Sequence, residues 1–471
     1  MNIHKALTFV CFFALALAGC AIQKYRPAPI SPTETAAKFE GRTLDDSGLR
    51  EFLKENLGHD YPTWPPKTWD LRLLTYAAFY FSPAMEMARA QASGAEAGVI
   101  TAGARPNPTL SVQPGVPSPY LFSLGFAVPI QTAGKRGYQI LQARHLSEAA
   151  RFNVANTAWK VRSAVRIALL DYLVAVRSLD QMRSQESVLS DRVRLVGKRL
   201  AVGEIPRPEV DLARIDLANT RLAVLSDQSQ ISQTRAVLAA TIGVPVSALN
   251  GVEFSWPSFE NPPSPDSLTS EGMQREAVLN RLDVREALAK YAAAEASLQL
   301  EIARQYPDVQ IGPGYAYEET NSFFTLRLSA TLPIFNRNQG PIAEAEARRR
   351  EAAANFLATQ AQVIAESEAA SARYSGAWRE LVETKALLKL HNDRVRSAEN
   401  SFKTGETGPL PLSGELLQRV LAASAKLAAL SRAQLALGSL ENAIERPLEP
   451  GDLPPLGPQS PALKNHSKEI K

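Results

Sequence analysis

The chain states one plan twice. Ala95-Glu96-Ala97 and Pro108-Thr109-Leu110-Ser111-Val112 recur as Ala294-Glu295-Ala296 and Pro307-Asp308-Val309-Gln310-Ile311, 199 residues on. VPIQTAGKRG, from Val128, recurs as LPIFNRNQG, from Leu332, 204 residues on. DRVR at Asp191 and Gly203-Glu204 recur at Asp393 and Gly405-Glu406, 202 residues on. Landmarks in one order, with offsets that differ only by small loop changes, mark an internal duplication.

Both halves share a grammar. A moderate helix is expected near Pro83 to Ala102 and near Arg281 to Arg304. Two strands follow, Thr109–Gln113 and Tyr120–Ile130 in the first half, Asp308–Tyr317 and Phe323–Ile334 in the second. Phe324, Leu326, Leu328 and Ala330 alternate with Thr325, Arg327, Ser329 and Thr331, the period of a sheet with one apolar and one polar face. Long helices come next. Tyr138 to Val196 is free of glycine and proline over 59 residues, about 90 Å of helix. Ile342 to Thr404 matches it, with Gly376 inside. Second helical runs cover Glu209 to Ile242 and Glu415 to Arg446. Runs this long predict coiled coil rather than globular packing. The turn GETGPLPLSG, Gly405 to Gly414, reads as long and rich in proline.

The ends carry a different message. Lys5 precedes an apolar run, Ala6 to Ala18, too short to span a membrane. It closes on Leu17-Ala18-Gly19-Cys20, a bacterial lipobox pattern that predicts cleavage before Cys20 and lipidation of its thiol; a plain secretory signal is the other reading. Ala21 follows rather than aspartate, which favours an outer-membrane address. Cys11 lies in the removed part, so no disulfide forms within the mature chain. No other apolar run reaches transmembrane-helix length, so a crossing of the bilayer must use strands. A net charge of +4, without a basic cluster interleaved with aromatics, gives no sign of nucleic acid. The expected divisions are a signal peptide (1–19), a lipidated extended segment without a core (20–68), a first repeat (69–243), a proline-rich connector (244–270), a second repeat (271–446) and a proline-rich tail (447–471).

Four strands cannot close a barrel with a lumen, and an open sheet edge in lipid leaves amides unpaired at several kcal/mol each. Membrane strands must therefore be pooled between chains. The stretches ARPNPTL, GFAVPIQTAGKRGYQILQAR, VGEIPRPEVDLARIDLANTRL, RQYPDVQIG and LPIFNRNQGPIAEAEARR, spread over Trp69 to Arg446, resemble the TolC-type outer-membrane efflux factors. The last is most similar to the CzcC-like subgroup serving heavy-metal cation efflux. The resemblance implies a mainly α fold with transmembrane β: a homotrimer whose twelve strands form one β-barrel set on an α-helical barrel. It implies a passive channel in the outer membrane of a Gram-negative bacterium, without cofactor or catalysis. Its partners would be a periplasmic adaptor and a resistance-nodulation-division inner-membrane pump. The turns lie farthest from the strands, so Gly203, Glu204, Ile205, Gly405 and Glu406 are the expected adaptor contacts. The family's acidic constriction maps to Glu415 and Gln418, which share a helix face; Glu415 as a plain helix-start carboxylate is the alternative.

Rival readings have less support. An adaptor or coiled-coil scaffold would carry one hairpin beside a lipoyl-like module, not two hairpins each preceded by an amphipathic strand pair. An enzyme would show a catalytic pattern, yet His4, His59, His145, His391 and His466 fall at no metal spacing, and no nucleophile elbow or phosphate loop occurs. Met85 and Met87, two apart on a helix, do not share a face. Arg348 to Arg350, Asp211 and Asp216 read as solvated helix faces.

Overall fold

A computed structural model describes residues 24–115, 121–267, 279–318, 321–448 and 463. Cys20, the first strand turn at Pro117 and Pro119, and nearly all of the tail lie outside these residues. The chain divides into two units, 1–42 and 43–471. The first holds helix α1 (Pro32–Glu40), whose N-terminus is capped by Ser31 and which buries none of its residues.

The second unit begins with a departure from expectation. Residues 43–68 do not lack a core. Helix α2 (Ser47–Leu57), capped by Asp46 accepting from the Leu49 N–H at 2.8 Å, buries Leu49, Phe52 and Leu53 in the main hydrophobic cluster. Their i, i+3, i+4 spacing makes one apolar stripe. Strand β1 (Thr68–Trp69) follows, then α3 (Leu71–Phe81), capped by Asp70 and almost wholly buried.

The duplication is literal in three dimensions. Helix α4 (Pro83–Gly103), strands β2 (Thr109–Pro114) and β3 (Leu121–Ile130), and helices α5 (Lys135–Ala201) and α6 (Arg207–Ile242) make the first copy. The connector is packed rather than loose: β4 (Glu253–Phe254) pairs in parallel with β1, and Trp256 and Phe259 are buried. Helix α7 (Leu282–Ala303), strands β5 (Val309–Glu318) and β6 (Asn321–Ala330), and helices α8 (Gln339–Lys403) and α9 (Pro409–Ile444) make the second copy. The last strand stops at Ala330, short of the expected Ile334.

Helix α5 lies against α4, α6, α7 and α9, whereas α8 lies against α7 and α9. By length and composition α9 passes for a membrane span, contrary to the expectation that no run would, but half of its most apolar window is buried. It is a core helix of the bundle.

Candidate functional site

The four longer strands form one antiparallel sheet in the order β2-β3-β5-β6, and the β3–β5 pair joins the repeats with Val128 opposite Ile311. Partners across antiparallel strands share a face. Leu110 and Val112 therefore stand with Leu124 and Phe126, with Ile311, Pro313 and Tyr315, and with Phe324, Leu326 and Leu328. That face is apolar and uncovered: Phe324, Leu326 and Leu328 are 88%, 75% and 71% exposed. The reverse face is small and polar, with Thr109, Ser111, Ala127, Gly312, Gly314, Thr325, Arg327 and Ser329, and Phe323 toward the turn end. Strands of ten residues match the nine to eleven or so that cross a bilayer on a tilt.

The two recurring motifs sit where strand gives way to helix. In the first, Ala133 and Gly134 take positive φ, and Lys135 donates to Asp308 and to the Tyr306 carbonyl, both at 2.6 Å. Thr132 N–H adds a bond to Asp308 at 3.0 Å. The exit from β3 thus clasps the entry to β5. In the second, Asn338 takes positive φ and its side-chain amide reaches the Glu301 carbonyl and carboxylate at 2.8 and 2.9 Å. The first motif is pinned to the loop between α7 and β5, and the second to Glu301 of α7 itself.

At the opposite ends of the helices, the two breaks are equal. Val202 to Pro206 separates α5 from α6, and Thr404 to Gly408 separates α8 from α9. Gly203 and Gly405 take φ of 77° and 78°, the left-handed region that ends a helix at little cost for glycine. The long second turn is therefore corrected: Pro409 to Gly414 is already helix, because proline is accepted in a first turn. Glu204 is held by Arg199 at 2.5 Å, which lowers its pKa below the ordinary carboxylate value. Glu406 is exposed. Ile205, expected on a partner surface, is instead buried with Val196, Val210 and Ala213 against Leu410 of the other hairpin. Glu415 lies in the second turn of α9, so it does not start the helix, and its carboxylate meets Arg394 at 2.5 Å. Gln418 is exposed on the same face.

One group of residues gave no local signal. Arg162 and Glu441, both fully buried, pair at 2.9 Å between α5 and α9. Arg166 reaches Glu441 at 3.4 Å and the Gln434 carbonyl and amide oxygens at 2.6 and 2.8 Å. Gln434 donates to the Phe259 carbonyl at 2.9 Å, so the connector is locked in. Nearby, burial pushes the Glu445 carboxyl up to about 7, with Asp283 reinforcing it. The Leu282 N–H at 2.5 Å, Arg281 and Lys160 oppose that shift. Met85 is buried and Met87 exposed, so they do not share a site. Arg348 and Arg349 pair with Glu344 and Glu295, and Asp211 with Arg207 and Arg214, as solvated faces do. Among the described residues no cluster of His, Cys, Asp or Glu forms a metal site.

No family model matches the chain. It is 24% identical to the cobalt-zinc-cadmium resistance protein CzcC of Cupriavidus metallidurans over 63% of this chain and 70% of that one. It is 26% identical to the pyoverdine export outer membrane protein OpmQ of Pseudomonas aeruginosa over 38% of this chain and 40% of that one. Among solved structures, CusC superposes with a TM-score of 0.65 at 16% identity, covering 90% of this chain and 99% of CusC. The outer membrane protein VceC of Vibrio cholerae superposes at 0.63 and 20% identity, covering 79% and 95%. By repeat plan and by its strand-and-hairpin architecture, the chain has the fold of the TolC-type outer-membrane channels.

Proposed function

We propose that the protein is the outer-membrane channel of a tripartite efflux system, taking heavy-metal cations from an inner-membrane pump through a periplasmic adaptor. The observation that carries the channel reading is the sheet, apolar on one face, small and polar on the other, and unpaired along β2 and β6. Such a sheet satisfies its edges in lipid only by joining copies of itself. Three copies supply twelve strands, and the paired hairpins continue the wall away from the membrane. The heavy-metal cargo is supported by the likeness to the cobalt-zinc-cadmium resistance protein CzcC, and the pump we propose is of the resistance-nodulation-division type. Lipidation at Cys20 adds a second anchor. Native mass spectrometry of the detergent-extracted protein tests assembly and anchoring together: three chains per particle, each carrying lipid that Cys20→Ser removes. A stable monomer ends the channel reading.

A further inference from the structure

Arg327 is the one charged residue within the strands that stands away from their ends. From Thr109 to Ile130 the chain has no charged residue, and from Val309 to Thr331 it has only Glu318, Glu319 and Arg327. Arg327 lies on the small and polar face, because its neighbours Leu326 and Leu328 lie on the apolar one. The row across the sheet at its level is Gly312, Ala127 and Thr109, which offers no acid and little bulk. Glu318 is six residues along β5 from Gly312, about 20 Å at about 3.3 Å per residue and beyond the Debye length of physiological salt. A guanidinium stays charged at any physiological pH.

This inference rests on the channel reading and narrows its cargo. With the apolar face toward lipid, Arg327 points into the lumen, and low-dielectric walls concentrate its field there. Basic rings favour anions as acidic rings favour cations. We propose that Arg327 is the charge-selecting residue of the strand pore. Three copies set three guanidinium groups around the lumen, and cargo crosses this level as an anion or an anionic complex, such as a carboxylate-ligated metal, rather than as a bare cation.

Planar-bilayer recordings of the full-length protein test this, with inorganic tripolyphosphate added to each side in turn. The native channel is expected to be blocked by tripolyphosphate. Arg327→Gln is expected to lose the block and to lower the anion-to-cation permeability ratio by about threefold or more. Arg327→Lys keeps both properties, and Arg327→Glu favours cations. An Arg327→Gln channel with native permeability ratio and native block overturns the proposal. Failure of the native protein to conduct at all overturns the channel reading, and the proposal with it.

Discussion

Gly438 leaves the space through which Arg166 reaches Gln434. A Cβ there would lie 2.5 Å from Arg166 Nη1, which is already held by the Gln434 carbonyl. Gly438→Ala should therefore lower stability by roughly 1–3 kcal/mol. Glu441→Gln should lower it more, by roughly 3–5 kcal/mol, since it removes the buried carboxylate that both the Arg162 and Arg166 guanidinium groups face. Thermal melts followed by circular dichroism give the order. Glu445 makes a pH prediction. Its carboxyl titrates near 7 in the fold, above its ordinary value of 4.5. A raised carboxyl pKa means that the folded state holds a proton the unfolded state has lost, so stability falls as pH rises from about 4.5 to 7. Glu445→Gln keeps an acceptor for the Leu282 N–H and removes the titration. It should match the native protein at pH 4 and exceed it at pH 8, by on the order of 3 kcal/mol. Equal melting behaviour at both pH values counts against this. At the tips we propose Glu415 and Gln418 as the constriction, with the charge of Glu415 offset by Arg394. Arg394→Gln should then raise cation preference in single-channel recordings and Glu415→Lys lower it; no change in either leaves Glu415 a structural ion pair. None of the buried network was legible in the sequence, because Arg162 and Glu441 are 279 residues apart and only the docking of α9 on α5 brings them together.

At the scale of elements the sequence was more informative. Period-2 alternation marked β6 and its apolar face; a run without glycine or proline marked α5, which extends a few residues beyond it at both ends, and a run interrupted only by Gly376 marked α8, which starts three residues earlier and stops one short of Thr404. Long-range packing was not legible. Nothing around Glu253 announces a pairing with Thr68, and the prolines before Trp69 concealed the apolar stripe of α2. The prolines of the second tip misled for a related reason, since a first helical turn accommodates the residue that an interior excludes. Burial also separates two elements of nearly equal length: α5 buries nineteen of its 67 residues and α8 seven of its 65. Fewer buried contacts imply easier local opening. Hydrogen exchange in the assembled protein should run faster in α8 than in α5; equal protection would mean that neighbouring chains cover α8 as fully as the protomer covers α5.

The whole molecule presents its ends to different surroundings, strands at one and tips at the other. We place the adaptor at the tips, where Val202 is 78% exposed and Glu406 is open to solvent. Photo-crosslinkers at Val202 or Glu406 should capture it, and one at Ile205 should not, because that side chain is turned into the hairpin. Capture only from positions beside the sheet would reverse the assignment. The two unpaired strand edges carry a last consequence, for biogenesis. Pairing β3 with β5 already joins segments nearly 190 residues apart, a slow kind of contact. In the proposed trimer no barrel closes until three such sheets meet, so insertion into the membrane and assembly are one termolecular event. The yield of finished channels should rise more steeply than the rate at which chains are made, and a cell that halves synthesis should lose more than half of them.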